Sequence, residues 1–434
     1  MSAVKTESYA AHEDCGDGFS KHWQVCRLKD KAAFNPSKTE IKELPRECTF
    51  APMEKLKKDS LLTDVTTITS DISGSYTYFR EGDILVAKVT PCFENRNIAI
   101  AKNLTHGIGF GSSEINVVRV SKKENPRWFF YLFLTSSFIE AGASKMAGAG
   151  GLKRIPSLFL ETFCFALPPL VEQTAIAAYL DTKTAKIDSQ IDLLGQKATQ
   201  YGKLKQSLIN EAVTRGLDKS VPMKDSYVVW IGAVPEHWDV RRGKDIFEQT
   251  RNKAGLDSSS YDVLSLTLNG VIKRDLDNMK GKIPASFDGY QIANPGDLVL
   301  CLFDIDVTPR IVGHVNNLGI ITSAYTVIKG KKNVDMKYFL YYYLEQNRNG
   351  SLLANSKTLR STMTFDLFSQ LLLPVPPLEE QRAIASYLDE KTAQIDRIVT
   401  AINTQIDKLK DLRKALINDV VTGKIKVLSE GLAV

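Results

Sequence analysis

The side chains able to do chemistry are few, and their spacing suits little of it. Asp30 followed by Glu40-Ile41-Lys42 has the residue types of a metal-dependent nuclease, but nothing like it recurs later in the chain. Five histidines (12, 22, 106, 237, 314) show no metal-ligand spacing. His22 and His237 each precede a Trp, which fits packing a turn. No G-x-x-x-x-G-K-[ST] phosphate loop is present, nor a glycine-rich turn suited to an adenosyl cofactor. Pro168-Pro169 and Pro376-Pro377 precede Leu, not the aromatic residue that would stack a flipped base. The reading is no catalysis, no cofactor and no metal. The chain does supply cations beside glycine- and hydroxyl-rich stretches. Lys145, Lys153 and Arg154 flank Ala147-Gly148-Ala149-Gly150-Gly151, and Lys357, Thr358, Arg360 and Ser361 follow Asn349-Gly350. Such loops suit contact with phosphates and guanine edges, a solvated connector being the other reading. Arg96 and Arg310, polar residues near turns, are further candidates for DNA contact, with plain surface residence as their alternative.

The elements that must position these residues are bounded by composition. At 434 residues the chain is too long for one core, so two or three domains are expected. Hydrophobic residues make up 43% and charged residues 24%, which excludes a mainly disordered chain. No apolar run approaches ~20 residues, so no membrane span is expected. The first fifteen residues lack the apolar stretch of a secretory signal. Six cysteines (15, 26, 48, 92, 164, 301) lie far apart with no C-x-x-C, as reduced thiols would in a cytoplasmic protein. The net charge of +6 is a weak pointer to a polyanion, ordinary surface lysines explaining it nearly as well.

Internal repetition decides the organisation. Pro168-Pro169-Leu170-Val171-Glu172-Gln173 returns as Pro376-Pro377-Leu378-Glu379-Glu380-Gln381, and the two segments stay in step at a shift of 208. Without a gap, 22 of the 47 positions from 168 to 214 are identical to their counterparts, which establishes a duplication. Upstream only landmarks repeat: His22-Trp23-Gln24-Val25 with His237-Trp238-Asp239-Val240, and Gly82-Asp83 with Gly296-Asp297. The chain therefore reads as two diverged modules alternating with two similar helices. Ile395, Val399, Ile402, Ile406, Leu409, Leu416 and Val420 have the spacing of a helix-packing seam. In the first copy Ile187, Ile191, Leu194, Ala198, Tyr201, Leu208 and Ala212 hold the same register. The stretch from about Lys183 to Val213 predicts ~45 Å of helix at 1.5 Å per residue, with Gly195 and Gly202 as possible soft points. The economical way to cover two such stripes is antiparallel pairing of the helices with each other, packing of each on its own module being the alternative. The modules read as β-rich α/β structure, with strands opened by Gly82-Asp83 and Gly296-Asp297. Aromatic helices are expected near Trp128–Phe138 and Tyr338–Leu344.

On the doubled Pro-Pro-Leu-x-Glu-Gln signature, the His-Trp-x-Val segments and the Gly-Asp strands, the sequence resembles the specificity subunits of type I restriction-modification systems. The resemblance implies an α/β (α+β) pseudo-twofold tandem repeat. It divides the chain into an N-terminal extension (1–19), target-recognition domain 1 (20–167), helical spacer 1 (168–218), a linker (219–234), target-recognition domain 2 (235–375), helical spacer 2 (376–426) and a tail (427–434). It also implies that each recognition domain reads half of a bipartite double-stranded DNA target, and that the paired helices fix the unread spacer. Two modification (methyltransferase) subunits would dock at Pro168, Pro169, Glu172, Gln173, Pro376, Pro377, Glu380 and Gln381, and two ATP-dependent motor-nuclease subunits would join for restriction. An interaction scaffold without nucleic acid and an autonomous nuclease are the competing readings.

Overall fold

The computed structural model describes residues 22–149, 151–276, 286–308, 310–354 and 361–427. The expected extension 1–19 and all but the first residue of 427–434 lie outside them. Two compact units emerge: Met1–Leu194 with Thr404–Val434, and Gly195–Asn403. Each holds one module and a part of each long helix. Among the described residues no helix is long and apolar enough to cross a membrane.

The first unit begins with a strand, Gln24–Arg27, that pairs antiparallel with the module's last strand, Cys164–Leu167. Between them lie two four-stranded sheets. One has the strand order Thr66–Ile68, Glu47–Ala51, Ile108–Gly111, Thr77–Arg80; the other has the order Ala32–Phe34, Ile115–Val120, Ile84–Ala87, Ile98–Ile100. The Gly-Asp landmark opens the central strand of the second sheet. Gly82 adopts a φ of 86°, a conformation glycine enters without strain, and Asp83 accepts the Arg80 backbone N–H at 2.9 Å. Helix α1 (Pro126–Phe133) is apolar apart from Arg127, and Trp128 to Phe133 are all buried. Asn125 caps it, accepting the N–H groups of Arg127 and Trp128, with Pro126 at the first helical position. Helix α2 (Ser136–Ser144) follows. Gly142 is required there, because a Cβ would stand 2.4 Å from Phe93 Cζ.

Helix α3 runs from Leu170 to Arg215, longer than the stretch expected from Lys183, because the Pro-Pro signature itself is the helix start. It continues through Gly195 and Gly202, where an added Cβ would meet nothing within 4 Å, so neither glycine interrupts it. In the first unit the opening of α3 buries Ile176, Ala177 and Leu180 in the core formed by α1 and the sheet. Ile417, Val420 and Val421 enter the same core.

The second unit repeats this plan with different residues. Asp239–Arg242 pairs with Leu372–Val375, and a sheet of the same arrangement has the order Phe247–Thr250, Thr326–Gly330, Leu298–Leu300, Val312–His314. Gly296 has a φ of 96° and Asp297 accepts the Asn294 N–H at 2.8 Å. Helix α4 (Met336–Arg348), capped by Asp335, buries Tyr338, Phe339, Tyr341, Tyr342 and Tyr343, and helix α5 runs from Leu378 to Val421. Here Ile384 and Leu388 of α5 share a core with Ile209, Ala212 and Val213 of α3. The opening of α3 thus meets the end of α5 in one unit, and the end of α3 meets the opening of α5 in the other. That is antiparallel pairing. Ion pairs set its register: Lys205 Nζ bonds Asp396 at 2.7 Å in the second unit, and Arg413 Nε bonds Asp188 at 3.0 Å in the first. Asp188 and Lys205 are the duplicates of Asp396 and Arg413 at the shift of 208, so the two pairs are one contact used twice.

Candidate nucleic-acid interface

Each module ends beside the strand with which it starts, and this brings two sequence landmarks together. Glu172 Oε1 lies 2.7 Å from His22 Nε2, and Glu172 Oε2 accepts the Trp23 indole N–H at 3.0 Å. Glu380 makes the same contacts with His237 (2.7 Å) and Trp238 (3.0 Å) through Oε2. The neighbouring glutamine completes the joint. Gln173 Nε2 donates to the Pro168 carbonyl at 2.9 Å while its Oε1 accepts the Asn125 N–H at 2.8 Å. Gln381 does the same with Pro376 and Asp335, at 2.8 Å each. The glutamine therefore ties the start of the long helix to the cap of the aromatic helix, and both glutamines are buried. About two turns further on, Asp181 accepts the Tyr131 hydroxyl at 2.6 Å and Asp389 that of Tyr341 at 2.8 Å. Burial and these carboxylates push both phenols well above their ordinary range.

The signature residues are thus divided between inside and outside. Pro168 and Pro376 are buried with the glutamines, and Glu172 and Glu380 are half-buried on His-Trp. Pro169, Leu170 and Val171 are exposed in the first copy, as are Pro377 and Glu379 in the second. That division escaped the sequence, although His-Trp and Glu-Gln repeating together was the available signal.

The glycine-rich stretch of the first module is a hairpin rather than an irregular connector. Ala147–Ala149 pairs with Leu152–Arg154, every described residue of it exposed. Gly148 makes this close approach possible, since a Cβ there would sit 2.3 Å from the Leu152 carbonyl oxygen. Thr90 fastens the hairpin to the sheet: its N–H donates to the Lys153 carbonyl and its Oγ1 accepts the Lys153 N–H, both at 2.9 Å. Lys145 and Lys153 are exposed beside it, and Arg154 pairs with Glu114 at 2.8 Å. That hydrogen bond from Arg154 holds the Glu114 carboxyl below its usual range.

The remaining expected contacts fall elsewhere. Arg96 has a φ of 59° and is half-buried, its Nε without a partner and its pKa lowered by burial. Arg310 is turned inward, Nε donating to the Val312 carbonyl at 2.9 Å and Nη1 to the Leu268 carbonyl at 2.8 Å. Ser361 is described, its carbonyl accepting the Ile305 N–H, while Lys357, Thr358 and Arg360 lie outside the described residues. A groove of ≈ 440 Å³ that sequence reading passed over runs along Lys29, Asp30, Lys31, Arg80, Arg119 and Lys122, with Lys31 paired to Glu124 and Arg80 to Glu40. Within it Arg119 is committed to Asp83 at 2.7 Å and to Glu40, while Asp30 pairs with Arg27 at 3.5 Å. Among the described residues no cluster of His, Cys, Asp and Glu could hold a metal.

Comparison with known proteins agrees with this geometry. A sequence model of the type I restriction modification DNA specificity domain matches residues 20–195 and 312–408. The EcoAI specificity subunit of Escherichia coli is 30% identical over 253 residues, 58% of this chain and 40% of that protein. The EcoEI specificity subunit of the same organism is 33% identical over 157 residues, 36% of this chain and 26% of that protein. The chain thus matches well under half the length of these two relatives. A chain solved in work on complex assembly and conformational transition of the type I R-M system shares the fold, with a TM-score of 0.68 at 18% identity. The match covers 93% of this chain and 98% of that one. The duplicated joint, the paired helices and the matched domains place this chain in the family of type I restriction-modification specificity subunits.

Proposed function

We propose that this chain is the DNA-sequence-specificity subunit of a type I restriction-modification complex and catalyses nothing itself. Each module reads one half of a bipartite target. The helix pair sets the number of unread base pairs and docks two modification subunits, which methylate adenine, while two ATP-dependent motor-nuclease subunits join for restriction. The observation that carries this reading is the division of the duplication: joints and helices that repeat at 22 of 47 positions stand beside modules that share only landmarks. A chain that meets one partner surface twice and two different base sequences once each requires that division.

In the first module Lys145, Lys153 and Arg154 contact the duplex from the hairpin; in the second, Lys357, Thr358, Arg360 and Ser361 are the residues that contact it. Arg96 is a further contact to DNA, and Arg310 supports the segments of Leu268 and Val312 whose carbonyls it bonds. The modification subunits rest on Pro169, Leu170 and Val171 and on Pro377 and Glu379, surfaces that Pro168, Glu172, Gln173, Pro376, Glu380 and Gln381 shape from behind. The test is binding of the purified complex to duplex DNA across a salt series. The logarithm of the affinity is expected to fall linearly with the logarithm of salt, by a slope near 0.9 per neutralised phosphate. Lys145→Ala with Lys153→Ala should reduce that slope. Binding without any salt slope would return the chain to the class of protein scaffolds.

A further inference from the structure

Arg154 is not needed to hold its hairpin, because Thr90 already bonds Lys153 in both directions and the Ile155 N–H donates to the Lys88 carbonyl. Its guanidinium is nevertheless fixed. Nε lies 2.9 Å from Glu114 Oε2 and 3.1 Å from Oε1, and Nη2 lies 2.8 Å from Oε1. Glu114 is itself anchored in the turn before the strand Ile115–Val120, its N–H donating to Ser112 Oγ at 3.1 Å and its carbonyl accepting the Lys88 N–H at 3.0 Å. A carboxylate on the Nε–Nη2 edge leaves the Nη1–Nη2 edge of the fork open. Nη1 has no hydrogen-bond partner among the described residues, and the side chain is 47% exposed. Two coplanar donors held at that spacing match O6 and N7 of guanine in the major groove. The neighbours favour a close duplex: Ala147, Gly148 and Ala149 carry almost no side chain, and Lys145 and Lys153 supply positive charge.

We propose that Arg154 reads one guanine through the Nη1–Nη2 edge of its guanidinium, with Glu114 as the positioning residue that aims it. The inference rests on the DNA-binding reading above and adds a base and an atom-level contact to it. Fixing the fork in advance reduces the rotamer freedom lost on binding, so the contact adds discrimination. A phosphate is the competing target for the same edge, and it carries no sequence information.

The experiment uses the full chain in the assembly with which it purifies, a fully randomised pool of DNA duplexes, and sequencing of the bound fraction. Arg154→Lys keeps the charge but cannot form the fork; Glu114→Gln weakens its support while keeping its shape. Wild type should select guanine at one position that Arg154→Lys relaxes by roughly tenfold, the scale of a bidentate base contact, with the salt slope unchanged. Glu114→Gln should relax the same position and no other, and both variants should melt as wild type does. The inference is overturned if Arg154→Lys keeps every preference, or if the two variants relax different positions. It is overturned equally if affinity falls across all sequences, the mark of a phosphate contact. A wild type that selects no sequence would sink the DNA-binding reading as well, and so separates the two failures.

Discussion

Gln381 makes hydrogen bonds at both ends of its amide inside a buried joint, and removing it leaves the Asp335 N–H without an acceptor. An orphaned buried donor costs about 1–3 kcal/mol and these N–H groups are part-buried, so Gln381→Ala should lower the stability of the second unit by about 1 kcal/mol in denaturant unfolding, and Gln173→Ala that of the first. Glu40 supplies a pH-dependent counterpart. Desolvation works to raise its pKa, but hydrogen bonds from Arg119 and Tyr78 prevail and hold it below the ordinary glutamate value. A depressed folded pKa contributes stability that is complete above the unfolded value, near 4.3, and is lost as pH falls through the folded one. The stability difference between wild type and Glu40→Gln should therefore be constant at neutral pH and shrink below about pH 4, as acid titration of the melting temperature would record. At this scale the sequence was only partly readable. His22, Trp23, Glu172 and Gln173 were visible as repeated residues, but partners about 150 positions apart meet only once the first and last strands of a module pair. Arg310 looked like a surface cation because the carbonyls it serves, Leu268 and Val312, converge only in the fold.

The elements were more legible. Period and punctuation located the aromatic helices, the Gly-Asp strands and the long helices, since each is encoded by neighbours in sequence. The exceptions are local competitions. The run from Ala147 to Gly151 has the glycine content of a loose connector, yet Thr90 captures it as a hairpin, and α3 starts at Leu170 because the signature's prolines open a helix. The helix pair also carries an asymmetry that no periodicity reveals. Arg413 is 7% exposed and bonds both Asp188 and Asp59, the latter from the turn between Lys57 and Ser60, whereas its duplicate Lys205 bonds Asp396 at the surface. Removing one partner of a buried pair costs about 3 kcal/mol or more, while an exposed pair contributes roughly 0–1 kcal/mol. Arg413→Ala should accordingly destabilise the first unit several times more than Lys205→Ala destabilises the second, a comparison for hydrogen exchange resolved along the chain.

At the scale of the whole molecule, duplication separates what must stay the same from what must differ. The shift of 208 is kept from the Pro-Pro signature through the helices, down to one ion pair used twice, while the modules keep a sheet order and change most of what decorates it. If the helix pair sets the unread stretch of the target, its length is a parameter that can be altered without touching either reader. One turn is close to four residues and about 6 Å. The decisive measurement is genome-wide mapping of methylated adenines in cells carrying the complex, with one helical turn added to both α3 and α5. The two half-sites should keep their bases while the number of unread positions between them changes. An unchanged spacer flanked by unchanged half-sites would contradict this.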